Sequence, residues 1–317
     1  MNRTRALLLV TAVPLLIVLG VLASALFGGG EEAVPAPRVT ATATVRTTGA
    51  ADPADGGANT SAAVASADPA DAGDGTTNAS APAGGATRAA RPFVAGAERI
   101  DVGSGPRGAA IFRPRSARSG APVVVFLHGW IAVDPEHYRP WIAHLVRGGA
   151  TVIYPAYQEA PFLDTASPLP NALVAVRLAL ERARVAPGRL VVAGHSAGGA
   201  LAADYAASAR SAGLPVPAAV FSVYPGRSLR GIDLRIPTVS ARGISAGTVV
   251  LALAGAGDRV VGSRVARTIV RTATRARARL RIIRDPRVDD HTAPQRSDPI
   301  ARRTFWAPLD RLIAATR

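Results

Sequence analysis

The feature that most constrains the fold of this chain is an apolar run at residues 190–193, Leu-Val-Val-Ala, which leads directly into residues 194–199, Gly-His-Ser-Ala-Gly-Gly. An uninterrupted apolar run is typical of a strand that is buried on both faces. Glycine and alanine allow a sharp turn after such a strand and the immediate start of a helix. The pattern predicts a strand–turn–helix unit with the Ser196 hydroxyl at the turn, beside the free amides of a helix N-terminus.

Similar apolar runs recur along the C-terminal region and alternate with helical patterns. Further strands are predicted at 98–102, 109–113, 123–127, 151–154, 218–223, 249–254 and 280–283. Helices are predicted at 170–185, from the Ser196 turn to about 213, at 263–278 with Ser263 as the cap, and at the C-terminus with Trp306, Leu309, Leu312 and Ile313 on one face. This alternation predicts an α/β fold, with a mostly parallel sheet and helices on both faces.

Residues 1–30 hold two arginines and then an uncharged, mainly apolar run at 6–27. A helix of that length can cross a hydrocarbon layer of roughly 30 Å. Two interpretations stay open: a signal peptide cleaved after Ala-Ser-Ala at 23–25, or an uncleaved membrane anchor with its basic end in the cytoplasm. Both predict an exported protein, either secreted or anchored with its folded domain outside the cytoplasm.

Residues 31–92 consist mostly of Ala, Thr, Gly, Pro, Asp and Ser, with few large apolar side chains. Such a segment cannot bury enough surface to offset the entropy that ordering would cost. It is therefore predicted to be a disordered, low-complexity linker. The folded domain is then expected over residues 93–317.

The composition excludes some kinds of chemistry. The chain has no cysteine, which excludes disulfides, a Cys nucleophile and thiolate metal sites. Its formal net charge is +15, and every basic residue is Arg. The arginines look scattered and aromatic residues make up only 5%, so no nucleic-acid partner is predicted. No ligand cluster with metal spacing is present in the sequence, and no metal or organic cofactor is expected.

Three other segments accompany the Ser196 turn. His128-Gly129-Trp130 follows the apolar run at 123–127, Asp258 follows the run at 249–254 through Gly-Ala-Gly, and His291 lies in a loop after the last predicted strand. Together with Gly194 to Gly199 they resemble the α/β-hydrolase superfamily, within its esterase and dienelactone-hydrolase-like branches. The resemblance covers about residues 97–317 and is specific for the fold, not for the substrate.

This resemblance implies a catalytic triad in the order nucleophile, acid, base. Ser196 is then the nucleophile, and His291 is the base because the other histidines, at 128, 137, 144 and 195, precede it. Asp258 is the expected acid. Asp233 is a weaker alternative, and the acids at 285, 289 and 290 are interpreted as solvated loop charges.

The resemblance also implies an oxyanion hole, formed by two backbone amides that point at one oxygen. The amides of Ala197 and Trp130 are the candidates, with Gly129 allowing the sharp turn between His128 and Trp130. Supporting roles are expected for His128, which would brace this loop, and for His195 as packing or loop support. Small residues at Gly194 and Gly198 are expected because the turn around Ser196 is tight.

The function that these expectations favour is hydrolysis of carboxylic esters, with a small molecule or a lipid as the substrate. An acyltransferase on cell-envelope lipids or glycans, a peptidase and a non-catalytic binding module remain as alternatives. Dienelactone hydrolysis itself is disfavoured because it uses a Cys nucleophile. Residues 224–248 are interpreted either as a short cap over the pocket or as an ordinary surface loop. The sequence predicts no oligomeric state, and it predicts membrane contact through residues 1–30 if they are not cleaved.

Overall fold

The computed structural model describes residues 92–228 and 234–316. The predicted signal peptide or anchor, nearly all of the predicted linker and the alternative acid Asp233 lie outside these residues, and the predictions made for them stay predictions. Within the described part of the chain, no helix is both long enough and apolar enough to cross a membrane.

Eight strands form one sheet in the order β1-β2-β4-β3-β5-β6-β7-β8. β1 and β2 pair in antiparallel fashion with each other, as does β2 with β4, whereas all other neighbours are parallel. The strands are β1 Ala97–Val102, β2 Ala109–Pro114, β3 Val123–Leu127, β4 Thr151–Pro155, β5 Leu190–His195, β6 Ala219–Val223, β7 Val249–Gly255 and β8 Arg277–Ile283. The predicted mostly parallel sheet is confirmed.

Helices cover both faces of this sheet. They are α1 Arg139–Arg147, α2 Pro168–Ala183, α3 Ala197–Ser208, α4 Arg264–Thr272, α5 Pro299–Ala301 and α6 Ala307–Ala315, with a π-helical turn at Arg302–Trp306 between the last two. Short 3₁₀ turns occur at Gly105–Arg107, Pro135–Tyr138, Ala241–Gly243 and Ala293–Gln295.

The central strand β3 shows why the sequence pattern is unbroken there. Val124 and Phe126 point to the face that α1 and the C-terminal helices cover, where they meet Trp141. Val125 and Leu127 point to the opposite face, which α2 and α3 cover. Because successive strand residues alternate between faces and both faces are buried, every position must be apolar.

Two helix predictions need correction. The sequence predictions leave out α1, although Pro140 in its first turn and the buried Trp141, Ile142, Leu145 and Val146 are typical of an amphipathic helix. The helix predicted at 263–278 ends at Thr272 instead, because alternating exposed and part-buried residues from Arg277 continue as β8. Ser263 occupies the N-cap position, but its side chain makes no capping hydrogen bond.

Candidate active site

The carboxyl ends of the parallel strands meet at one edge of the sheet. Leu127 at the end of β3 pairs with Gly194 of β5, and β7 ends three residues before Asp258. His291 follows β8, which is the neighbour of β7. The parallel topology therefore gathers His128, Ser196, Asp258 and His291 at a single edge, where α/β folds place their ligands.

Ser196 lies at a strained turn between β5 and α3. Its backbone has φ of 57° and ψ of −122°, outside the regions that L-residues favour. The turn is held by hydrogen bonds from the Ser196 amide to the Val223 carbonyl and from the Gly198 amide to the His128 carbonyl, at 3.0 and 2.9 Å. Strained backbone that the surrounding structure enforces is characteristic of functional sites.

Gly194 and Gly198 are required at this turn because the backbone comes too close for any side chain. A Cβ on Gly198 would overlap the Leu127 carbonyl, and one on Gly194 would overlap the Gly198 carbonyl. Neither glycine has a positive φ, so close approach and not conformational freedom explains them.

Three side chains form one hydrogen-bonded line at the turn. His291 Nε2 lies 2.9 Å from Ser196 Oγ, and His291 Nδ1 lies 2.8 Å from Asp258 Oδ2. With Nδ1–H donating to the carboxylate, Nε2 is free to accept from the Ser196 hydroxyl. All three residues are buried, each less than a tenth exposed. The arrangement can move a proton from Ser196 to a histidine whose charged form is stabilised by Asp258.

Asp258 is held as a carboxylate despite its burial. Burial alone would raise the pKa of Asp258, but the hydrogen bond and the charge of His291, together with the amides of Val260 and Val261, lower the pKa below its ordinary value. The two amides donate to Oδ1 at 2.9 and 3.1 Å, which leaves Oδ2 for His291. The geometry thus fixes both the charge and the orientation of this acid.

Asp290 fixes the loop that carries His291, although this acid is interpreted from the sequence as a solvated loop charge. Asp290 Oδ1 accepts hydrogen bonds from the amides of Thr292 and Ala293, at 2.9 and 3.1 Å, and from the Thr292 hydroxyl. That interpretation is wrong for Asp290, because an Asx turn of this kind sets the backbone on either side of the histidine.

Two backbone amides beside Ser196 are available as donors. The Trp130 amide makes no hydrogen bond to the part of the chain that the structure describes. Ala197 is the first residue of α3, where backbone amides have no intrahelical acceptor. Trp130 and Ala197 also line the same pocket as Ser196.

Gly129 is needed for a different reason from the predicted sharp turn. Its φ is not positive, and the left-handed residue of this loop is Ile131, with φ of 64°. A Cβ on Gly129 would lie 3.1 Å from Tyr138 Oη and 3.5 Å from Ser196 Cβ. The glycine therefore allows the loop to approach Ser196.

The His128 side chain supports the loop that contains Gly129 and Ile131. Its ring stacks on Tyr157 at 4.0 Å, with Nδ1 2.6 Å from the Gly129 carbonyl and Nε2 2.7 Å from the Ala156 carbonyl. Complete burial lowers the pKa of His128 to about 4. The hydrogen bonds with the two backbone carbonyls favour the charged form, but their effect on the pKa is smaller than that of burial. A neutral ring donates to only one of the two carbonyls. The hydrogen bonds of the His128 ring go to these carbonyls and not to Ser196, and its position agrees with a bracing role.

His195 links this loop to the loop of His291. The Tyr138 hydroxyl accepts from the Gly129 amide at 3.0 Å and donates to His195 Nδ1 at 2.8 Å. His195 Nε2 then donates to the His291 carbonyl at 2.9 Å. The pKa of His195 is lowered to about 3, mainly by burial and to a smaller extent by the nearby His291, so the ring is neutral. The sequence predictions leave out Tyr138, because no local pattern marks a side chain that reaches another loop.

A small apolar pocket opens beside Ser196. It measures about 20 Å³, and Trp130, Leu234, Ile236 and Val261 supply its apolar walls. Leu234 and Ile236 belong to the segment 224–248, which the sequence left open as a cap or a surface loop. In its described part this segment packs Ile236, Ala241 and Ile244 into the core, so it is a loop that forms one wall of the pocket.

The central part of this chain matches a known protein family. A protein family whose description is the α/β-hydrolase fold matches residues 124–251, the stretch that runs from β3 through the Ser196 turn to β7. The chain has the α/β-hydrolase fold. The resemblance inferred from the sequence is thereby confirmed at the level of the fold.

Two curated relatives align with part of this chain. An acetyl-hydrolase of Streptomyces hygroscopicus is 32% identical over 118 residues, which cover 36% of this chain and 39% of the relative. Esterase LipI of Mycobacterium tuberculosis is 35% identical over 124 residues, which cover 37% and 39% of the two chains. The chain thus spans about two-fifths of the length of the curated relatives that it matches.

Solved structures resemble this protein over a larger part of the chain. A putative dienelactone hydrolase from Klebsiella pneumoniae superimposes with a TM-score of 0.52 at 18% identity, covering 68% of this chain and 99% of the other. At that identity the likeness concerns the fold alone. Within residues 92–228 and 234–316, no group of three or more His, Asp or Glu side chains is placed to hold a metal ion.

Proposed function

We propose that this α/β hydrolase cleaves carboxylic esters, with Ser196 as the nucleophile. The observation that carries the proposal is the buried line from Ser196 Oγ through His291 to Asp258, with contacts of 2.9 and 2.8 Å. A neutral serine is a weak nucleophile, and an adjacent base that is oriented by an acid is what activates it. The curated relatives, one an acetyl-hydrolase and the other an esterase, agree with this reaction.

The first half of the reaction forms an acyl-enzyme. Ser196 Oγ attacks the acyl carbon while its proton passes to His291 Nε2, and the carbonyl oxygen becomes an oxyanion. The tetrahedral intermediate then collapses, the bond to the alcohol oxygen breaks, and His291 gives its proton to the leaving alcohol. Asp258 stabilises the imidazolium that exists between these two transfers.

The second half releases the acid. A water molecule gives a proton to His291 and attacks the acyl carbon of the ester on Ser196. When this intermediate collapses, His291 returns the proton to Ser196 Oγ and the carboxylic acid leaves. In both halves the amides of Trp130 and Ala197 donate to the oxyanion, a type of stabilisation worth roughly 3 kcal/mol per donor.

The size of the pocket indicates a short acyl group. A volume of about 20 Å³ is close to the roughly 10–15 Å³ that a single water molecule requires, so the pocket itself holds an acetyl methyl group and not a longer chain. The apolar walls from Trp130, Ile236 and Val261 suit such a methyl group. The name of the relative from Streptomyces hygroscopicus agrees with an acetyl group.

Hydrolysis of p-nitrophenyl acetate, butyrate and octanoate by residues 92–317 tests this function. We expect acetate to give the highest kcat/KM, and Ser196→Ala to lower the turnover of all three esters by at least roughly 1000-fold. Ser211→Ala, which removes an exposed hydroxyl beyond the C-terminal end of α3, is the control. Turnover that survives Ser196→Ala would contradict the proposal.

A further inference from the structure

A second, larger cavity adjoins the pocket of Ser196. It measures about 460 Å³, against about 20 Å³ for the pocket, and the two share the walls formed by Gly226, Arg227, Ser228 and Val261. We call it the arginine groove, after Arg227, Arg235 and Arg264 in its lining. A group attached to an ester bound at Ser196 can therefore extend past Arg227 and Val261 into the groove.

One of the three arginines is already neutralised. Arg227 makes a two-point ion pair with the buried Asp204, with contacts of 2.6 and 2.7 Å, and also donates to the Pro237 carbonyl at 2.7 Å. Its side chain is only 10% exposed. Arg227 thus forms a fixed wall, and the charge of the groove comes from Arg235 and Arg264, which are exposed.

The rest of the lining is suited to an anion. Among its described residues there is no Asp or Glu, and the polar ones are hydroxyl side chains: Ser228, Thr238, Ser240, Thr268 and Thr272. Hydroxyl and guanidinium groups both donate hydrogen bonds, and a guanidinium can donate two to one carboxylate or phosphate. A carboxylate in the groove would thus meet donors and no competing acid from the described lining.

The segment that contains Arg264 carries a concentrated positive charge. The arginines that looked scattered in the sequence are concentrated, because residues 259–284 hold nine of them and no acid. They are Arg259, Arg264, Arg267, Arg271, Arg275, Arg277, Arg279, Arg281 and Arg284, and all nine are exposed. None of them forms an ion pair with a described residue. Arg264 is the one of these nine that lines the groove, and the net charge of the segment attracts anionic substrates from solution.

We propose that the arginine groove binds an anionic oxygen group, a carboxylate or a phosphate, on the alcohol part of the ester. The short acyl group occupies the apolar pocket, and the alcohol part reaches Arg264 and Arg235. The inference rests on the proposed ester hydrolysis and adds a substrate class to it, namely short-chain esters of anionic alcohols. Arg264 and Arg235 are the specificity-determining residues.

Matched esters test this inference. Hexyl acetate is the neutral substrate, acetoxyhexanoate replaces its terminal methyl with a carboxylate, and acetoxypentyl phosphate carries a phosphate at a similar distance. For each enzyme the measured quantity is kcat/KM for the anionic ester divided by kcat/KM for hexyl acetate. Because hydrogen bonds to charged groups are stronger than those between neutral groups, we expect wild type to favour one of the anionic esters by roughly 10-fold, mainly through KM.

The variants separate the groove from the general charge of the surface. We expect Arg264→Gln, and more strongly Arg264→Gln with Arg235→Gln, to bring the ratio close to one. Arg267→Gln removes the same charge from the same helix outside the lining and should keep the wild-type ratio. Equal loss in Arg264→Gln and Arg267→Gln, or a wild-type ratio near one for both anions, overturns the proposal. A wild-type enzyme that cleaves none of the esters would instead contradict the proposed function.

Discussion

The Tyr138 hydroxyl donates a hydrogen bond to His195 Nδ1 at 2.8 Å, across 57 residues of sequence. Through this contact the amide of Gly129, in the loop beside Ser196, is connected with the carbonyl of the proposed base His291. Both side chains are buried, 1% and 3% exposed. We therefore regard Tyr138 and His195 as positioning residues that hold the loop of Gly129 and the loop of His291 in fixed positions relative to each other.

Removing the hydroxyl should loosen both loops. In Tyr138→Phe the Gly129 amide and His195 Nδ1 lose their buried partner, which costs about 1–3 kcal/mol of unfolding free energy. We expect kcat for p-nitrophenyl acetate to fall by roughly 10-fold with little change in KM, because the substrate pocket does not contain Tyr138. Tyr205→Phe is the control, since Tyr205 is equally buried and its hydroxyl makes only a 3.4 Å contact with the Pro215 carbonyl. Equal kinetic effects in the two variants would contradict the positioning role.

The neutral state of His195 predicts how stability depends on pH. Burial lowers the pKa of His195 to about 3 in the folded state, against about 6.5 in the unfolded chain. The fold therefore has the full contribution of this histidine above pH 6.5 and loses it as the pH falls towards 3. Between pH 7.5 and 5.5 the loss amounts to about 1.4 kcal/mol.

A variant without the titrating ring isolates that contribution. Urea unfolding of wild type and His195→Asn at pH 7.5 and 5.5 gives the change in unfolding free energy for each protein. We expect the decrease to be smaller in His195→Asn by about 1.4 kcal/mol, because His128 and the other titrating groups are common to both. Equal decreases in the two proteins would show that His195 does not carry this pH dependence.

The tight turn predicts a severe effect from a single methyl group. In Gly198→Ala the new Cβ would overlap the carbonyls of Leu127 and His128, which are backbone atoms of a buried strand end. We expect a loss of at least about 3 kcal/mol of unfolding free energy, or failure to fold. Gly247→Ala is the matched control, because a Cβ there meets nothing within 4 Å, and its effect should stay within about 0.5 kcal/mol by thermal unfolding. A stable Gly198→Ala protein would contradict the geometry of the turn.

Replacement of Asp258, the acid of the proposed triad, should affect kcat and not the fold. In Asp258→Asn the His291 ring loses its charged partner and its fixed tautomer, so kcat should fall by roughly 10⁴-fold while the fold is retained. Asp285→Asn makes the same substitution in a half-buried loop acid that pairs with Arg287, and should leave kcat unchanged. If Asp258→Asn keeps nearly full kcat in a stopped-flow assay with p-nitrophenyl acetate, another residue is the acid.

The sequence predicts the central part of this fold because burial dictates its pattern locally. Val123–Leu127 is apolar throughout since both faces of β3 are covered, and the predicted strand coincides with the observed one. The need for Gly194 and Gly198 can be predicted from the sequence for a similar reason, because a turn this tight excludes other residues. Ser196, Asp258 and His291, chosen from strand ends and chain order, are the side chains that the structure brings together.

What the sequence does not predict depends on contacts between distant segments. Tyr138 is indistinguishable from an ordinary core tyrosine until the fold places it beside His195. The helical continuation after Thr272 is a reasonable prediction from composition, but pairing of β8 with β7 outweighs helix propensity for Arg277–Ile283. The arginine groove is likewise hidden, since Arg235 and Arg264 come from separate segments.

Covalent labelling with a fluorophosphonate probe, read by mass spectrometry of the digested protein, tests the central claim most directly. The proposed mechanism predicts one adduct per chain, on the peptide that contains Ser196, with p-nitrophenyl acetate hydrolysis lost in proportion to labelling. Ser196→Ala should show no adduct, and Ser211→Ala should label like wild type. Absence of labelling in an enzyme that hydrolyses the ester, or an adduct on a different residue that inactivates it, would contradict the assignment of Ser196 as the nucleophile.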